Sequence, residues 1–168
     1  MATPLSAQVW PALAWRPMRE FDLGYVAALE AQIQAAPWTI GNFRDSLAGG
    51  YSACVGECES RILVYGVLML APGEAQILNL SVVPGARRRG LGRALLRRFI
   101  DDAGRLGAEQ LFLEVRVSNV AAVGLYESEG FTRVARRERY YPASGPELVR
   151  EDALVMRRAL PRPRQLPA

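Results

Sequence analysis

A chain of 168 residues and 18.5 kDa holds enough material for one hydrophobic core and too little for two of ordinary size. Half of it is apolar and 23% is charged, it contains no histidine, and all 21 basic residues are arginine, so Ser-His-Asp and Cys-His nucleophiles, imidazole acid–base catalysis, lysine Schiff bases and the P-loop lysine are excluded. A net charge of +4 with a pI near 9.5 raises the question of an anionic partner, which the position of the arginines decides.

Residues 1–14 read as a leader and 161–168, which include P-R-P-R-Q-L-P-A, as a tail, leaving one domain over 15–160. Asp22 is placed to cap a first helix whose apolar face carries Tyr25, Val26, Leu29 and Ile33 and which stops before Pro37. A second helix from about Thr39 to Ala48, with Ile40, Phe43 and Leu47 on one side, closes at Gly49-Gly50. Strands are predicted over Tyr51–Glu57, Arg61–Ala71 and Glu74–Val83, joined by short breaks and so paired as an antiparallel meander. A helix over about Gly90–Leu106 presents Leu91, Leu95, Phe99 and Ala103 at helical spacing, and the strand Gln110–Val117 follows. Ser118-Asn119 caps a helix carrying Ala122, Leu125 and Tyr126, which stops at Gly130; strands near Phe131–Arg139 and Asp152–Ala159 complete the order ααβββαβαββ.

Cys54 and Cys58 are too few for a disulfide framework or a four-ligand metal site; the pair reads as reduced thiols, with no metal implied. No apolar run approaches the ~20 residues of a membrane span. The N-terminal stretch lacks the parts of a signal peptide. The expected setting is cytoplasmic.

The basic residues cluster in two places. Arg133, Arg136, Arg137 and Arg139 lie in a predicted strand, whereas Arg87, Arg88, Arg89 and Arg93, followed by Arg97 and Arg98, surround Gly90 and Gly92. The segment from Asn79 to Arg93 is a strand, a turn and a glycine-marked helix start, where free N–H groups and the positive helix end favour an anion. The dinucleotide fingerprint fits poorly, since the preceding strands are antiparallel and no third glycine or alanine falls in place, and the Walker pattern lacks its lysine. A pyrophosphate cradle of another kind and a solvated arginine-rich helix start with no ligand both remain open on these residues alone.

Arg88-Arg89-Gly90-Leu91-Gly92-Arg93 resembles the R/Q-x-x-G-x-G/A loop of the GNAT acetyltransferases. Pro37-Trp38, Asn79–Val82, Leu113-Glu114-Val115-Arg116, Ser118-Asn119, Leu125-Tyr126-Glu127-Ser128, Gly130-Phe131, Tyr140-Tyr141-Pro142 and Glu151-Asp152-Ala153 extend the resemblance over about residues 15–160. It is nearest to the bacterial ribosomal-protein-alanine N-acetyltransferases, the RimI type. The resemblance implies the GNAT fold, an α/β chain of α+β character with a mixed, mostly antiparallel sheet flanked by helices and split near Val82 and Glu114. It further implies that acetyl-CoA is the cosubstrate, its pantetheine arm against the backbone of Leu80, Ser81 and Val82. Its pyrophosphate would lie on Arg88, Arg89, Gly90, Leu91, Gly92 and Arg93, with Asn119 as a further contact. Glu114 maps to the general base and Tyr126 to the general acid. Trp38, Tyr140 and Tyr141 are candidates for the peptide groove or ordinary half-buried aromatics, and Glu74 is a solvated turn charge or a contact for the substrate ammonium. Val83 departs from the family's acidic residue before the proline.

These roles suit the chemistry. Aminolysis of a thioester needs a neutral amine, a held oxyanion and a proton for sulfur; a carboxylate, the Val82 amide and a phenol can supply these needs. An α-amine of pKa about 7.7–8.0 is about one-tenth neutral at pH 7, against about one part in 2,500 for lysine. The implied reaction is acetylation of a protein N-terminus, in the first place an alanine-starting small-subunit ribosomal protein, with possible ribosome contact and with neither DNA nor membrane as partner. Broader N-terminal, lysine or small-molecule amine acetylation is the alternative, and an arginine-rich RNA- or ribosome-binding module is the reading from a different class.

Overall fold

The computed structural model describes residues 12–143 and 149–161. Seven strands, β1 (Ala14–Pro17), β2 (Ser52–Cys58), β3 (Arg61–Ala71), β4 (Glu74–Val82), β5 (Gln110–Arg116), β6 (Thr132–Tyr141) and β7 (Glu151–Ala159), form one sheet in the order β1-β2-β3-β4-β5-β7-β6. Four helices flank it: α1 (Leu23–Ile33), α2 (Ile40–Ala48), α3 (Leu91–Arg105) and α4 (Val120–Ser128). Neighbouring strands are antiparallel except β4 and β5. That parallel pair needs a crossover, and α3 supplies it.

The chain therefore reads βααβββαβαββ, with a strand ahead of the two expected helices. Ala-Trp-Arg-Pro is too short to show alternation, and its pairing from Ala14↔Glu57 to Pro17↔Cys54 is a tertiary contact that local pattern does not record. Ala14, assigned to the leader, opens this strand, and Leu13 packs on the core. The rest of the leader and tail, residues 1–11 and 162–168, lie outside the described residues. The other elements begin and end within two residues of their expected positions, the usual scatter of element ends.

Two apolar layers sandwich the sheet. On one face Val26, Leu29 and Phe43 of α1 and α2 meet Val55, Tyr65 and Val67; on the other Leu95, Leu96 and Phe99 of α3 and Val123 of α4 meet Val64, Leu68, Ile77, Leu111 and Leu113. Three local expectations fail. Tyr25 is 49% exposed, because the buried stripe of α1 runs through Val26, Leu29 and Glu30 instead, and Ile40 is 41% exposed at the start of α2, whose buried residues are Phe43 and Ser46. Asp22 stands at the N-cap of α1 without capping it; its carboxylate takes both Arg16 guanidinium nitrogens at 2.7 and 2.8 Å and the Arg19 amide at 2.8 Å.

The contact between α3 and the sheet depends on Gly66 in β3. A Cβ there would stand 2.6 Å from the Asn79 carbonyl oxygen and 2.9 Å from the Phe99 ring, and a backbone atom cannot swing aside. Gly66→Ala should destabilise the fold by about 1–3 kcal/mol, read as a lower midpoint of thermal or urea unfolding. An unchanged midpoint would show that helix and sheet do not meet as closely as described.

Candidate active site

The parallel pairing of β4 with β5 runs only from Glu74↔Gln110 to Ile77↔Leu113. At Leu78 the register slips, since Val67 opposes Asn79 while the next residue, Leu68, opposes Ile77; the extra residue is a bulge, which bends the strand that carries it. Beyond it β4 pairs with β3 alone, and Glu114–Arg116 of β5 pair with β7 alone, so the sheet opens. The Val83 amide donates to the Leu63 carbonyl at 2.9 Å, and antiparallel alternation then turns the amides of Val82 and Leu80 away from β3, toward the opening. The Val82 carbonyl accepts from Arg87 Nε at 3.2 Å.

Two cavities flank the opening. The larger, about 850 Å³, lies against Leu80, Ser81 and Val82, the loop from Arg87 to Gly90 and the first turn of α3. The backbone is left-handed at Arg88 (φ 61°) and again at Gly90 (φ 79°). Gly90 occupies the N-cap of α3 with no side-chain cap over the first-turn amides. At Gly92 a Cβ would meet no protein atom closer than 3.5 Å, so the missing side chain leaves room in the cavity rather than relieving a clash. Such a cradle, rimmed by Arg87 and Arg88, suits a diphosphate.

Among the residues assigned to the cofactor by resemblance, Leu91, Gly92, Arg93 and Asn119 also line this cavity, whereas Arg89 does not. The Arg93 guanidinium is drawn to Ser128 Oγ at 3.0 Å and to Glu129. The Ser81 hydroxyl points the other way and donates to Glu30 at 3.2 Å. Asn119 caps α4, its Oδ1 accepting from the Ala122 amide at 3.2 Å. Glu74 is exposed at the far end of β4, where β4 and β5 still pair.

The smaller cavity, about 150 Å³, is lined by Glu114, Arg116, Trp38 and Tyr141, and shares Gln34, Leu80, Asn119 and Tyr126 with the larger one. Tyr126 thus stands on the common wall. Its side chain packs on Phe131, ring centroids 5.9 Å apart, and burial alone pushes its phenol up to about 12. Alternation along β5 sends Leu111, Leu113 and Val115 into the core and Glu114 to the other face, where solvent would be the ordinary outcome. Instead its side chain is only 14% exposed, with Arg137 Nε 3.2 Å from its Oε1. A hydrogen bond to Glu114, with burial, raises the Tyr140 phenol. Tyr140 itself is not among the cavity's lining residues; it packs edge-on against Tyr141 at 5.1 Å. The Arg116 guanidinium lies 4.3 Å from the Tyr141 ring centroid.

The sequence reading missed Glu30 and Gln34. Glu30 is 1% exposed; its carboxylate accepts from Tyr65 Oη at 2.6 Å, Asn79 Nδ2 at 2.9 Å and Ser81 Oγ at 3.2 Å. These donors belong to β3 and β4, so the carboxylate ties α1 to β4 where it leaves β5. The signal was present: with Val26, Leu29 and Ile33, Glu30 completes an i, i+3, i+4, i+7 stripe and is the one charge on it. Burial and this bond raise the Tyr65 phenol well above its ordinary value.

The model of the Acetyltransferase (GNAT) family matches residues 12–131, from β1 through the bulge, the cradle and α4, and the chain belongs to that family of acetyl-transferring enzymes. It is 36% identical over 140 residues to the ribosomal protein bS18-alanine N-acetyltransferase of Escherichia coli K12, covering 83% of this chain and 91% of that one. With the N-alpha-acetyltransferase RimI of Mycobacterium tuberculosis it shares 40% identity over 144 residues, 82% of this chain and 86% of the other. The crystal structure of the ribosomal-protein-S18-alanine N-acetyltransferase from Escherichia coli matches with a TM-score of 0.83 at 31% identity, covering 94% of this chain and 100% of that one. GNAT acetyltransferases use acetyl-CoA, and the cradle at residues 87–92 fits its diphosphate. Among the described residues no cluster of three acidic, Cys or His side chains could hold a metal, and no helix is long and apolar enough to cross a membrane.

Because burial favours the neutral phenol, Tyr126 should keep its proton well past pH 10. Its contribution to stability should be complete below about pH 10 and lost as pH rises from there through about 12. A spectrophotometric titration of the wild type minus Tyr126→Phe should place the missing tyrosine near 12; a difference centred near 10 would mean the ring is solvated.

Proposed function

We propose that the chain transfers acetyl from acetyl-CoA to the N-terminal α-amine of a protein beginning with alanine, a small-subunit ribosomal protein, the substrate for which its Escherichia coli relative is named. The reading rests on one observation above the others: the two cavities share a wall, and Tyr126 is on it. A donor entering from the cradle side and an amine entering from the Glu114 side would meet there. The setting of this reaction is the cytoplasm.

Acetyl-CoA supplies an acetyl thioester. The amides at Leu91–Arg93 and the Arg87 and Arg88 guanidiniums hold its phosphates, and the freed backbone of Leu80 and Val82 holds its amide-rich arm. The Val82 amide donates to the thioester oxygen. Glu114, directly or through a water, takes the proton of the attacking amine as the nitrogen–carbon bond forms and the carbon–sulfur bond breaks. The Tyr126 hydroxyl donates to the departing sulfur. A phenol near 12 is a weaker acid than a thiol near 8.5, so Tyr126 works by hydrogen bonding as charge builds on sulfur, and the proton shed by the amine balances the thiol. Trp38 and Tyr141 line the amine's cavity, and Tyr140 reaches Glu114 from outside that lining. Three arginines of β6 are already engaged, Arg133 with Glu127, Arg136 with Asp152 and Arg137 with Glu114, which favours this reading over a basic strand held open for RNA.

Thiol release should be measured with acetyl-CoA and peptides starting Ala, Ser or Met, or carrying only an internal Lys, and the alanine peptide should turn over fastest. Glu114→Gln and Tyr126→Phe should each lower kcat by about 100-fold with little change in acetyl-CoA affinity. Wild-type kcat in either variant would remove that residue from the mechanism. Gly90→Asp should instead raise the KM for acetyl-CoA, since an aspartate repels phosphate and disfavours φ 79°. An unchanged KM would put the diphosphate elsewhere.

A further inference from the structure

The arginine-rich strand β6 contains a large irregularity that the acetyl-transfer chemistry does not use directly. Arg137 pairs with Ala153 and Tyr141 with Glu151, so Glu138, Arg139 and Tyr140 together face the single residue Asp152. Arg139 is left-handed, φ 51°, a conformation an arginine keeps only when its surroundings impose it. The constraint is visible. Asp152 Oδ1 accepts from the Arg139 amide at 2.8 Å and Oδ2 from Arg136 Nε at 2.6 Å. From two residues earlier Arg150 donates through Nε to the Arg139 carbonyl at 2.7 Å and through Nη2 to the Tyr140 carbonyl at 2.9 Å. Two carbonyls and one amide of the bulge are thus held by β7 and the residue before it.

The bulge sets the direction of the side chains on either side of it. Arg137, at its start, pairs with Glu114 and lies 5.1 Å from the centroid of the Tyr140 ring; Tyr140, at its end, also reaches Glu114. Regular pairing would place successive residues on alternate faces, and Arg137 and Tyr140, three apart, would fall on opposite sides of the sheet. Only with the bulge do both reach one carboxylate.

We propose that Asp152, assisted by Arg150, is a positioning residue for acetyl transfer: it clasps the β6 bulge so that Arg137 and Tyr140 hold Glu114 at the amine's entrance. This rests on the reading of Glu114 as the base. The clasp acts on the amine side, because Glu114, through which it works, lines the smaller cavity and not the donor cavity.

Steady-state kinetics with acetyl-CoA and an alanine-starting peptide test it on Asp152→Ala, Arg150→Ala, Tyr140→Phe, Asp152→Ala/Tyr140→Phe and Glu114→Gln, each checked for folding by its unfolding midpoint. Asp152→Ala should lower kcat/KM for the peptide by about 10- to 100-fold while the KM for acetyl-CoA stays within about twofold. Arg150→Ala should show the same selective loss to a smaller extent, and decides the matter if Asp152→Ala does not fold. The double variant should be little worse than Asp152→Ala, because Tyr140 is already displaced. The clasp is overturned if Glu114→Gln is inactive while the folded clasp variants keep the wild-type kcat/KM, or if the Asp152 and Tyr140 losses multiply. A fully active Glu114→Gln overturns the base assignment itself.

Discussion

Strand pairing satisfies backbone amides and carbonyls in bulk, and a strand that leaves its neighbour inside a sheet must satisfy them some other way. Here β4 leaves β5 after Ile77 and Leu113, and the rest of the site depends on that parting. The amides it frees at Leu80 and Val82 face the opening, and the Val82 carbonyl has already taken Arg87 as a partner. The parting is anchored from both layers. On one side the Glu30 carboxylate gathers donors from Tyr65, Asn79 and Ser81; on the other, Leu80 and Val82 join the apolar cluster under α3. A charge buried among neutral donors is costly unless its hydrogen bonds are made, and three of them are made here.

Charge differs between the two cavities. The larger is lined by the start of a helix and by Arg87 and Arg88, with no carboxylate among its described lining residues; the smaller is lined by Glu30 and Glu114 together with Arg116, and Tyr126 stands on the wall between them. Many of the arginines are engaged in local pairs, Arg93 and Arg97 with Glu129, Arg116 with Glu151, and three β6 arginines with their carboxylates.

Edge strands are commonly blunted by charge and bulges, and β6 has both. The same devices carry a second consequence, because the bulge at Glu138–Tyr140 brings two side chains onto Glu114 that regular pairing would separate. An acidic residue on the solvent side of β5 is in this way enclosed by residues more than 20 positions further along the chain.

What depends on short stretches of chain was legible without the structure. Helical and alternating periods placed α1 to α4 and β2 to β7, since each is a local consequence of burying one face. The glycine loop at residues 88–93 was visible because glycine is the residue most at ease in left-handed backbone and where a ligand approaches the chain closely, and the resemblance carried by Glu114 and Tyr126 singled out both residues. Only the tertiary structure decided that β1 exists, that Tyr65, Asn79 and Ser81 are the donors to Glu30, that Arg93 turns to Glu129, and that Arg137, Tyr140 and Asp152 bear on Glu114. Each of these rests on pairing or charge between segments distant in sequence. Local periodicity records which way a side chain leaves the backbone, and only the packed fold determines what it meets there.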